Sequence, residues 1–426
     1  SFGGGVLGSV ADLQASLHEQ LGTLEERHQL PAEYPDVRSR FKRLILRLAE
    51  QTGQRVVVLI DEYDKPILDR IEDREKAIEI REALKDFYSV IKDSDAHIRF
   101  AFLTGVSKFS KVSLFSGLNN LQDITLDARY SSICGYTDAD VESVFAPELP
   151  GLDRQEIRRW YNGYNWLGES VYNPFDLLLL FDRRQFQPWW FETGTPTFLI
   201  KLLTQRRQFT PALETLVAPE ALLSTFDVDN IPTEALMFQA GYLTIARADY
   251  YPGQLELALR YPNQEVKSSL NQSLLGALCG AQFAPERSPT RLYRLLQAND
   301  LAGMRGLFHA FFASIPHDWY RNSPIAQYEG YWASVFYSYF AALGVDTVLE
   351  DATNKGRIDM AVRWLGQTWL FEFKVVELVP EGRALQQLVD KGYADKYRAD
   401  GPVHLIGVEF SKDSRNIVGF DTLTLD

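Results

Sequence analysis

Cysteine is scarce in this sequence: Cys134 and Cys279 are the two present among 426 residues. Two cysteines cannot build a disulfide framework, and they exclude a metal centre made of cysteine thiolates. The six histidines show no H-x-x-x-H spacing, so a zinc site is not expected. Such a composition is typical of the reducing cytoplasm, and we predict a cytoplasmic protein.

Long apolar runs and an excess of positive charge are missing as well. No stretch of about 18 uncharged apolar residues occurs, which predicts a soluble protein with no membrane partner. The net charge is −13, so indiscriminate binding to polyanions is not expected. Three arginine pairs, at positions 158–159, 183–184 and 206–207, could still form a local patch for DNA, or could lie on solvated helix faces.

The sequence also lacks a P-loop of the form G-x-x-x-x-G-K-[ST], the element that cradles nucleotide phosphates. The stretch Ser1–Ser9 is rich in glycine but contains no lysine. ATP binding would therefore require a P-loop supplied by a segment outside these 426 residues.

The first third of the sequence alternates helix and strand signals. Apolar residues recur every three or four positions over Leu13–Leu30, Arg38–Ala49 and Arg74–Ile91, which predicts three helices. The apolar runs Val56–Ile60 and Ile98–Leu103 are of the kind that is buried on both faces of a parallel sheet. The alternation predicts a doubly wound α/β unit.

Polar residues follow both of these predicted strands. Asp61 and Glu62 end the first strand, and Thr104 and Ser107 follow the second. Ligands of open α/β sheets bind at the carboxyl ends of the strands, so these four residues could serve a nucleotide and its Mg²⁺. The alternative is that Asp61 or Asp64 caps the helix that follows.

The middle of the chain changes character near Thr137. Short helices and aromatic loops surround one predicted hairpin, Tyr242–Arg247 with Leu255–Arg260, which suggests a helical or winged-helix lid. The Pro- and Arg-containing stretch Ala284–Pro289 is the best candidate for a linker. We therefore predict three domains, residues 1–136, 137–285 and 286–426.

The most informative stretch of the chain is Gly356–Lys374. It predicts two apolar strands joined by a turn at 366–367, with Asp359 in the first strand and Glu372 and Lys374 on one face of the second. Two acids and a lysine inside an apolar hairpin are costly to bury without a purpose, and they could hold a divalent metal. The alternative is a surface hairpin with a cross-strand salt bridge.

Six further segments of the chain carry recognisable motifs. They are Leu59–Ile67, Phe102–Ser110, Trp160–Tyr164, Tyr172–Phe175, Trp190–Pro196 and Gly241–Thr244. Together these motifs resemble those of the bacterial AAA-ATPase-like proteins that carry a C-terminal PD-(D/E)XK nuclease domain, and the resemblance covers nearly the whole chain.

The resemblance implies an α/β architecture of three parts. These are a truncated P-loop NTPase-like parallel sheet, a helical or winged-helix lid and a restriction-endonuclease-like α/β domain. Asp61 and Glu62 would be the Walker B position, and Thr104 to Ser107 the first sensor. Related proteins begin with a P-loop upstream of the Ser1 segment, so we expect this chain to be truncated at its N-terminus or to lack that loop naturally.

For the C-terminal part the resemblance implies a metal-dependent active site. Asp359, Glu372 and Glu329 would hold Mg²⁺ or Mn²⁺, with the carbonyl of Phe373 completing the shell. Lys374 would orient the attacking water or stabilise the charge that develops on the phosphate.

A helix predicted over Gly382–Tyr397 follows the hairpin. Gln387 and Tyr393 match a Gln-x5-Tyr pattern of some nucleases of this superfamily, which implies that they belong to the catalytic set. Gln387 and Lys391 share a helical face and could reach the site or a DNA phosphate. The alternative is an ordinary amphipathic helix.

The expected function is therefore a metal-dependent DNA nuclease coupled to an AAA-ATPase-like regulatory module, in a setting such as antiviral defence against foreign DNA. Two alternatives remain open at this point. The domains could form a catalytically silent nucleic-acid-binding or scaffolding protein with a partner protein, or a nucleotide-driven switch that forms homo-oligomers.

Overall fold

The structure is a computed structural model that describes most of the chain in two compact units. The N-terminal unit comprises Ser1–Ser131, Trp166–Glu169 and Val217–Leu259, and the C-terminal unit comprises Ser132–Asn165, Ser170–Leu216 and Arg260–Asp426. The described residues are 1–31, 34–107, 114–115, 118, 120–193, 197–206, 213–214, 216–223, 232–279, 288–315, 329–353 and 355–425.

Helices are present in both units. Short 3-10 helices lie at Asp95–His97, Ala128–Tyr130, Ala146–Glu148, Tyr393–Lys396 and Arg398–Asp400. The α-helices of the described residues are Val10–Arg27, Val37–Thr52, Lys65–Leu68, Arg74–Asp93, Asp138–Ser143, Arg154–Tyr161, Pro174–Arg183, Trp189–Thr193, Thr197–Gln205, Glu220–Leu223, Thr233–Gln239, Gln264–Cys279, Pro289–Gln297, Leu301–Ser314, Glu329–Leu343 and Arg383–Asp390.

The strands of the described residues form three sheets with the orders β1-β2, β3-β5-β4 and β10-β9-β8-β7-β6. Their bounds are β1 Val56–Ile60, β2 Ile98–Leu103, β3 Val217–Pro219, β4 Thr244–Tyr251, β5 Gln254–Arg260, β6 Asp346–Thr353, β7 Gly356–Trp364, β8 Gln367–Val376, β9 Val403–Ser411 and β10 Asn416–Leu425. Among the described residues, no helix is long and apolar enough to cross a membrane.

The N-terminal unit begins with two helices that follow local capping rules. The hydroxyl of Ser9 accepts the N–H of Asp12 at the start of the first helix, and Asp36 accepts the N–H of Ser39 at the start of the second. The second helix ends at Gly53, whose φ of 67° is the left-handed conformation that favours glycine. The three helices predicted in this part of the chain are confirmed, with ends that differ by a few residues.

Strands β1 and β2 pair in parallel, as their sequence predicts, and form a small two-stranded sheet. Val58 is buried, whereas Val57, Leu59 and Phe100 are 50%, 68% and 53% exposed. The prediction that both faces of this sheet are buried is therefore wrong for the residues described. An apolar run of five residues is compatible with burial on one face or on both, because the run alone does not determine how many layers cover it.

The C-terminal unit contains a five-stranded mixed sheet, in which β8 and β9 are parallel and the other neighbours are antiparallel. The predicted α/β class is confirmed. The edge strands β6 and β10 were not predicted from the sequence. Both are polar along much of their length, which weakens the apolar signal of a strand.

The two faces of this sheet pack against different helices. Phe371 and Phe373 of β8 point into a large core formed with the helices Leu301–Ser314 and Glu329–Leu343. Leu370, on the opposite face, packs in a smaller core that includes Leu388. The predicted alternation of β8 is confirmed, and it places Glu372 and Lys374 on the face of the smaller core.

The hairpin between β7 and β8 turns at Leu365 and Gly366, whose φ values are 47° and 69°. Two successive positive φ values are characteristic of a type I′ turn, which matches the twist of the flanking strands. The predicted turn at 366–367 is wrong by one residue, because Gln367 already pairs with Trp364 in the strand ladder. The predicted domain boundaries at 136 and 285 stay predictions, and residues 284–287 of the predicted linker lie outside the described residues.

Two buried acids, Asp176 and Glu265, face each other in the C-terminal unit and come from different helices. The N–H of Trp190 donates to Asp176 at 2.8 Å, and the N–H of Phe191 donates to Glu265 at 3.1 Å. Burial raises the pKa of both carboxyls, and the hydrogen bond and charge of Asp176 raise the pKa of Glu265 further. The pair therefore retains a proton where ordinary carboxyls are ionised.

Replacing Glu265 with glutamine should make the protein less sensitive to alkaline pH. The folded-state pKa of Glu265 is raised, so its contribution to stability is complete below 4.5, its ordinary pKa, and is lost as pH rises toward the raised value. The loss is at most about 1.4 kcal/mol per pH unit. In thermal unfolding, Glu265→Gln should gain stability relative to wild type between about pH 6 and about pH 9.

The matched control for this prediction is Glu377→Gln, because the Glu377 side chain is 82% exposed. Its difference from wild type should not change over the same range. A constant difference between Glu265→Gln and wild type at every pH would contradict the raised pKa of Glu265.

Candidate functional site

Strands β7 and β8 separate at the point where the predicted acids lie. The paired residues of the ladder end with Met360 opposite Phe371. One step beyond, the Asp359 side chain accepts the N–H of Phe373 at 2.8 Å. The Asp359 side chain of β7 thus accepts a hydrogen bond from the backbone of β8, and this contact holds Asp359 beside Glu372 and Phe373.

Glu372 is the most deeply buried acid of this site, with 1% of its surface exposed. Its Oε1 accepts a hydrogen bond from the Lys374 ammonium at 3.1 Å and another from the Gln387 amide. Lys374 is 28% exposed, so its side chain extends from the buried Glu372 to the protein surface. The alternative of a surface hairpin with a cross-strand salt bridge is wrong, because Glu372 is buried and its ion pair lies within one strand.

Tyr393 completes the group. Burial is the largest cause that raises the pKa of its hydroxyl, and the charges of Glu372 and Asp359 raise it too. A hydrogen bond with Gln387 and the charge of Lys374 act in the opposite direction. The hydroxyl therefore stays protonated at neutral pH and lies within electrostatic reach of all four side chains.

The approach of Tyr393 to the strand also requires a glycine. A Cβ built on Gly356 would lie 2.5 Å from the Tyr393 hydroxyl, and Gly356 has a φ of 148°. Arg357, the next residue, pairs with Glu350 at 3.0 Å on the surface.

The helix that carries Gln387 is shorter than predicted. It spans Arg383–Asp390, and a separate 3-10 helix begins at Tyr393. Gly392 lies between them with a φ of 55°, a left-handed conformation that ends a helix. Gln387 reaches Glu372, whereas Lys391 is exposed at the end of the helix. The predicted helix over 382–397 is therefore wrong beyond Asp390.

Glu329 is the remaining predicted ligand. It is the first residue of the helix Glu329–Leu343, but its side chain lies outside what the structure describes. Within the described ranges, no three His, Cys, Asp or Glu side chains are close enough to ligate an ion by themselves.

The donors that are described nevertheless suit a hard cation. The Asp359 carboxylate accepts the N–H of Phe373, the residue that follows Glu372, and each of the two carboxylates can accept about four interactions. Mg²⁺ is commonly bound by one or two carboxylates while it keeps several waters. The residues present therefore fit Mg²⁺ or Mn²⁺.

The second predicted group lies at the ends of β1 and β2. The Thr104 hydroxyl donates to Asp61 at 2.6 Å, and the Thr104 N–H donates to the Ile60 carbonyl at 2.9 Å. The structure therefore brings Thr104 and Asp61 together at an exposed edge, as the parallel pairing predicts.

Ser107 contacts a different acid from the one that Thr104 contacts. Its N–H and its hydroxyl both donate to the buried Asp64, which also accepts the N–H of Val106. Burial raises the pKa of Asp64, and these donors act against that rise. Asp64 does precede the short helix Lys65–Leu68, but its side chain makes no capping bond, so the capping alternative is wrong for this residue.

Glu62 faces the glycine-rich start of the chain. It has a φ of 55°, and its buried Oε2 has no hydrogen-bond partner within the part of the chain that is described. A Cβ built on Gly3 would lie 2.5 Å from that oxygen. The Lys65 ammonium donates to the carbonyl of Gly5 at 2.8 Å and so ties the glycine-rich start of the chain to the segment that follows β1. The segment contributes glycine backbone here but no phosphate-binding lysine.

Comparison with known protein families gives two matches, one in each of the regions that contain the two candidate groups of side chains. A family model described as a predicted AAA-ATPase matches residues 1–115, and a model of the PD-(D/E)XK nuclease superfamily matches residues 327–420. The chain belongs to the AAA-ATPase-like proteins with a PD-(D/E)XK nuclease domain. The resemblance stated from the sequence motifs is thereby confirmed. The nuclease superfamily domain contains every candidate residue of the metal site.

One curated relative extends this similarity over almost the whole chain. It is named "Uncharacterized protein in vnfD 5'region" and comes from Azotobacter chroococcum mcd 1. The two are 64% identical over 421 residues, which is 99% of this chain and 82% of the relative. No solved structure matches the chain.

Two residues of the nuclease superfamily domain beside the candidate metal site were not predicted from the sequence. In β9, Gly407 pairs with Glu372, and Glu409 pairs with Lys374. Both could have been found from the segment Leu405–Phe410. A glycine inside an apolar strand signals a close backbone approach, and a lone acid in such a strand needs a partner.

The arginine pairs of this AAA-ATPase-like protein are engaged with neighbours where they are described. Arg158 pairs with Asp138, Arg159 with Glu156 and Arg183 with Asp182, and Arg184 donates to backbone carbonyls at Glu148 and Pro150. These contacts favour solvated helix faces and local ties over a DNA patch. Position 207 lies outside the described residues.

Proposed function

We propose that this chain is a Mg²⁺- or Mn²⁺-dependent nuclease that hydrolyses DNA phosphodiester bonds. The observation that carries the proposal is the buried Glu372, held by Lys374 and Gln387 beside Asp359. A buried acid with a lysine and an amide on one oxygen is expensive to maintain, and a cation explains the arrangement.

In this proposal Asp359, Glu372 and the carbonyl of Phe373 hold the metal, with Glu329 as the further ligand that the sequence predicts. A bound metal polarises the scissile phosphate and lowers the pKa of a coordinated water. The fold contributes rigidity, because the two carboxylates project from neighbouring strands rather than from loops.

The other side chains act on the substrate and on the ligands. Lys374 supplies a positive charge that orients the attacking water and stabilises the charge of the transition state. Gln387 holds the orientation of Glu372 through its amide. Tyr393, which keeps its proton, donates a hydrogen bond toward a phosphate oxygen.

The AAA-ATPase-like domain is proposed to regulate this nuclease. Asp61, Glu62, Thr104 and Ser107 retain the roles that the resemblance implies for them, as a proposal. ATP enters the proposal only with a P-loop supplied from outside residues 1–426. We place this activity in the cytoplasm, where a nuclease with such a module would suit defence against foreign DNA, alone or as a homo-oligomer or with a partner protein.

The test is cleavage of circular and linear DNA by the purified chain with Mg²⁺, with Mn²⁺ and with EDTA. Cleavage that requires the metal and falls about 10³-fold in Asp359→Asn supports the proposal, because asparagine still accepts the Phe373 N–H but has lost the charge of a proposed metal ligand. Glu377→Gln is the control. A folded wild type that binds DNA and cleaves none with either metal would favour the silent scaffolding alternative.

A further inference from the structure

Glu409 is a second buried acid on the site face of the sheet. It lies in β9 with 1% of its surface exposed, next to Lys374 in the parallel ladder. Residues paired across neighbouring strands project from the same face, so the Glu409 and Lys374 side chains stand side by side. No role in the metal site was predicted for Glu409.

The carboxylate of Glu409 accepts three backbone donors at the start of the helix Arg383–Asp390. These are the N–H groups of Glu381 and Arg383, at 2.5 Å and 2.6 Å, and that of Ala384 at 3.3 Å. The first N–H groups of a helix have no partner within the helix, and a carboxylate there also interacts favourably with the helix dipole. Glu409 therefore anchors this helix to the sheet.

A glycine allows the same helix to approach the sheet closely. A Cβ built on Gly407 would lie 2.2 Å from the backbone nitrogen of Leu385 and 2.7 Å from its Cα. These are backbone atoms, so the helix itself would have to move to admit a side chain. Gly407 also pairs with Glu372 in the ladder, which means that the closest approach occurs beside the central acid of the site.

Gln387 lies on this anchored helix, one turn beyond Arg383, and donates to Glu372. Helical geometry fixes the position of Gln387 relative to the Glu409 anchor, since one turn rises by about 5.4 Å. A shift of the helix would therefore move the amide away from Glu372.

We propose that Glu409 is a positioning residue of the nuclease site, acting through the helix and Gln387 on the orientation of Glu372. The inference rests on the proposed nuclease function, but the anchoring step can be measured without it. A merely structural acid would stabilise the protein as a whole, whereas a positioning residue controls the order of this helix and the rate of the chemical step.

The first measurement is hydrogen exchange on the metal-free, full chain. In Glu409→Gln, the amides of Glu381 to Ala384 should exchange at least about tenfold faster than in wild type, with β7 and β8 unchanged. Glutamine keeps one acceptor oxygen and the side-chain shape, so this variant should fold. Glu377→Gln is the control, since Glu377 is 82% exposed.

The second measurement is the kinetics of DNA cleavage. Glu409→Gln should lower kcat by about tenfold and leave KM for DNA unchanged, because loss of an outer partner of a metal ligand typically costs 10- to 100-fold. Gly407→Ala should give the same split, because the added methyl group would push the helix away from β9 at Leu385. Both should keep the circular dichroism spectrum of the wild type.

The two measurements separate the failure of this inference from failure of the proposed function. Unchanged exchange at 381–384 in Glu409→Gln, or a normal kcat despite faster exchange, would overturn the positioning role. A wild type without metal-dependent cleavage would overturn the nuclease instead. In that case faster exchange would still establish the Glu409 anchor, but the inference about catalysis would fall with the function.

Discussion

Glu372→Gln is expected to reduce metal-dependent DNA cleavage by about 10³-fold or more and to abolish tight binding of Mn²⁺. In the proposed site the carboxylate charge holds the metal, and a bound metal would provide several kcal/mol of transition-state stabilisation, where each 1.4 kcal/mol is about tenfold in rate. Glutamine has nearly the same shape and can still accept the hydrogen bonds of Lys374 and Gln387. The variant should therefore fold.

Isothermal titration of Mn²⁺ into the metal-free protein tests this directly, followed by single-turnover cleavage at saturating metal. Glu377→Gln carries the same chemical change at a position that is 82% exposed, and it should match wild type in both assays. Undiminished Mn²⁺ binding by a folded Glu372→Gln protein would show that the metal, if one is used, is held elsewhere.

Lys374→Ala should lose about 10²- to 10³-fold in cleavage while it keeps its affinity for the metal. Lys374 is 3.1 Å from Glu372 and 28% exposed, so it can face both the buried acid and a bound phosphate. A preorganised positive group of this kind contributes about 10²- to 10³-fold to the rate. Its removal takes a cation away from the metal ligands, so metal affinity should stay equal or rise.

The contrast between the two variants separates a ligand from a catalytic group. Titration and single-turnover cleavage should show Glu372→Gln impaired in both, and Lys374→Ala impaired in cleavage alone. Lys412→Ala, which removes a surface lysine paired with Glu377, is the matched control. Equal loss of metal binding in Lys374→Ala would mean that the lysine acts by maintaining the site, and the proposed role in the reaction would be wrong.

The sequence predicted which side chains of the candidate site lie close together better than it predicted their support. Asp359 and Glu372 come from adjacent strands of the predicted hairpin, but the turn lies one residue earlier than predicted, so the structure set which residues lie opposite each other. Gln387 was found by its spacing to Tyr393, although its contact with Glu372 spans 15 residues. Glu409 was not found, because its partners are backbone groups of a helix that precedes it by more than 20 residues.

In the N-terminal unit, too, the sequence predicted one of the contacts between polar residues and missed another. The parallel pairing of β1 and β2 places Thr104 on Asp61, which the strand-end pattern predicts. Ser107 instead donates to Asp64, an acid with no exposed surface. The sequence shows four polar residues after two strands, but the path of the loop after Leu103 decides which of them meet.

By itself the sequence determined the alternation of β8, the hairpin that joins Asp359 to Glu372 and the two-part family, because these depend on local periodicity and on short motifs. Only the tertiary structure decided that the helix ends at Asp390, that one face of the β1–β2 sheet is exposed and that Glu409 anchors the helix of Gln387. Those features depend on which surfaces pack together, and a side-chain period of two or 3.6 residues does not specify a partner that is distant along the chain.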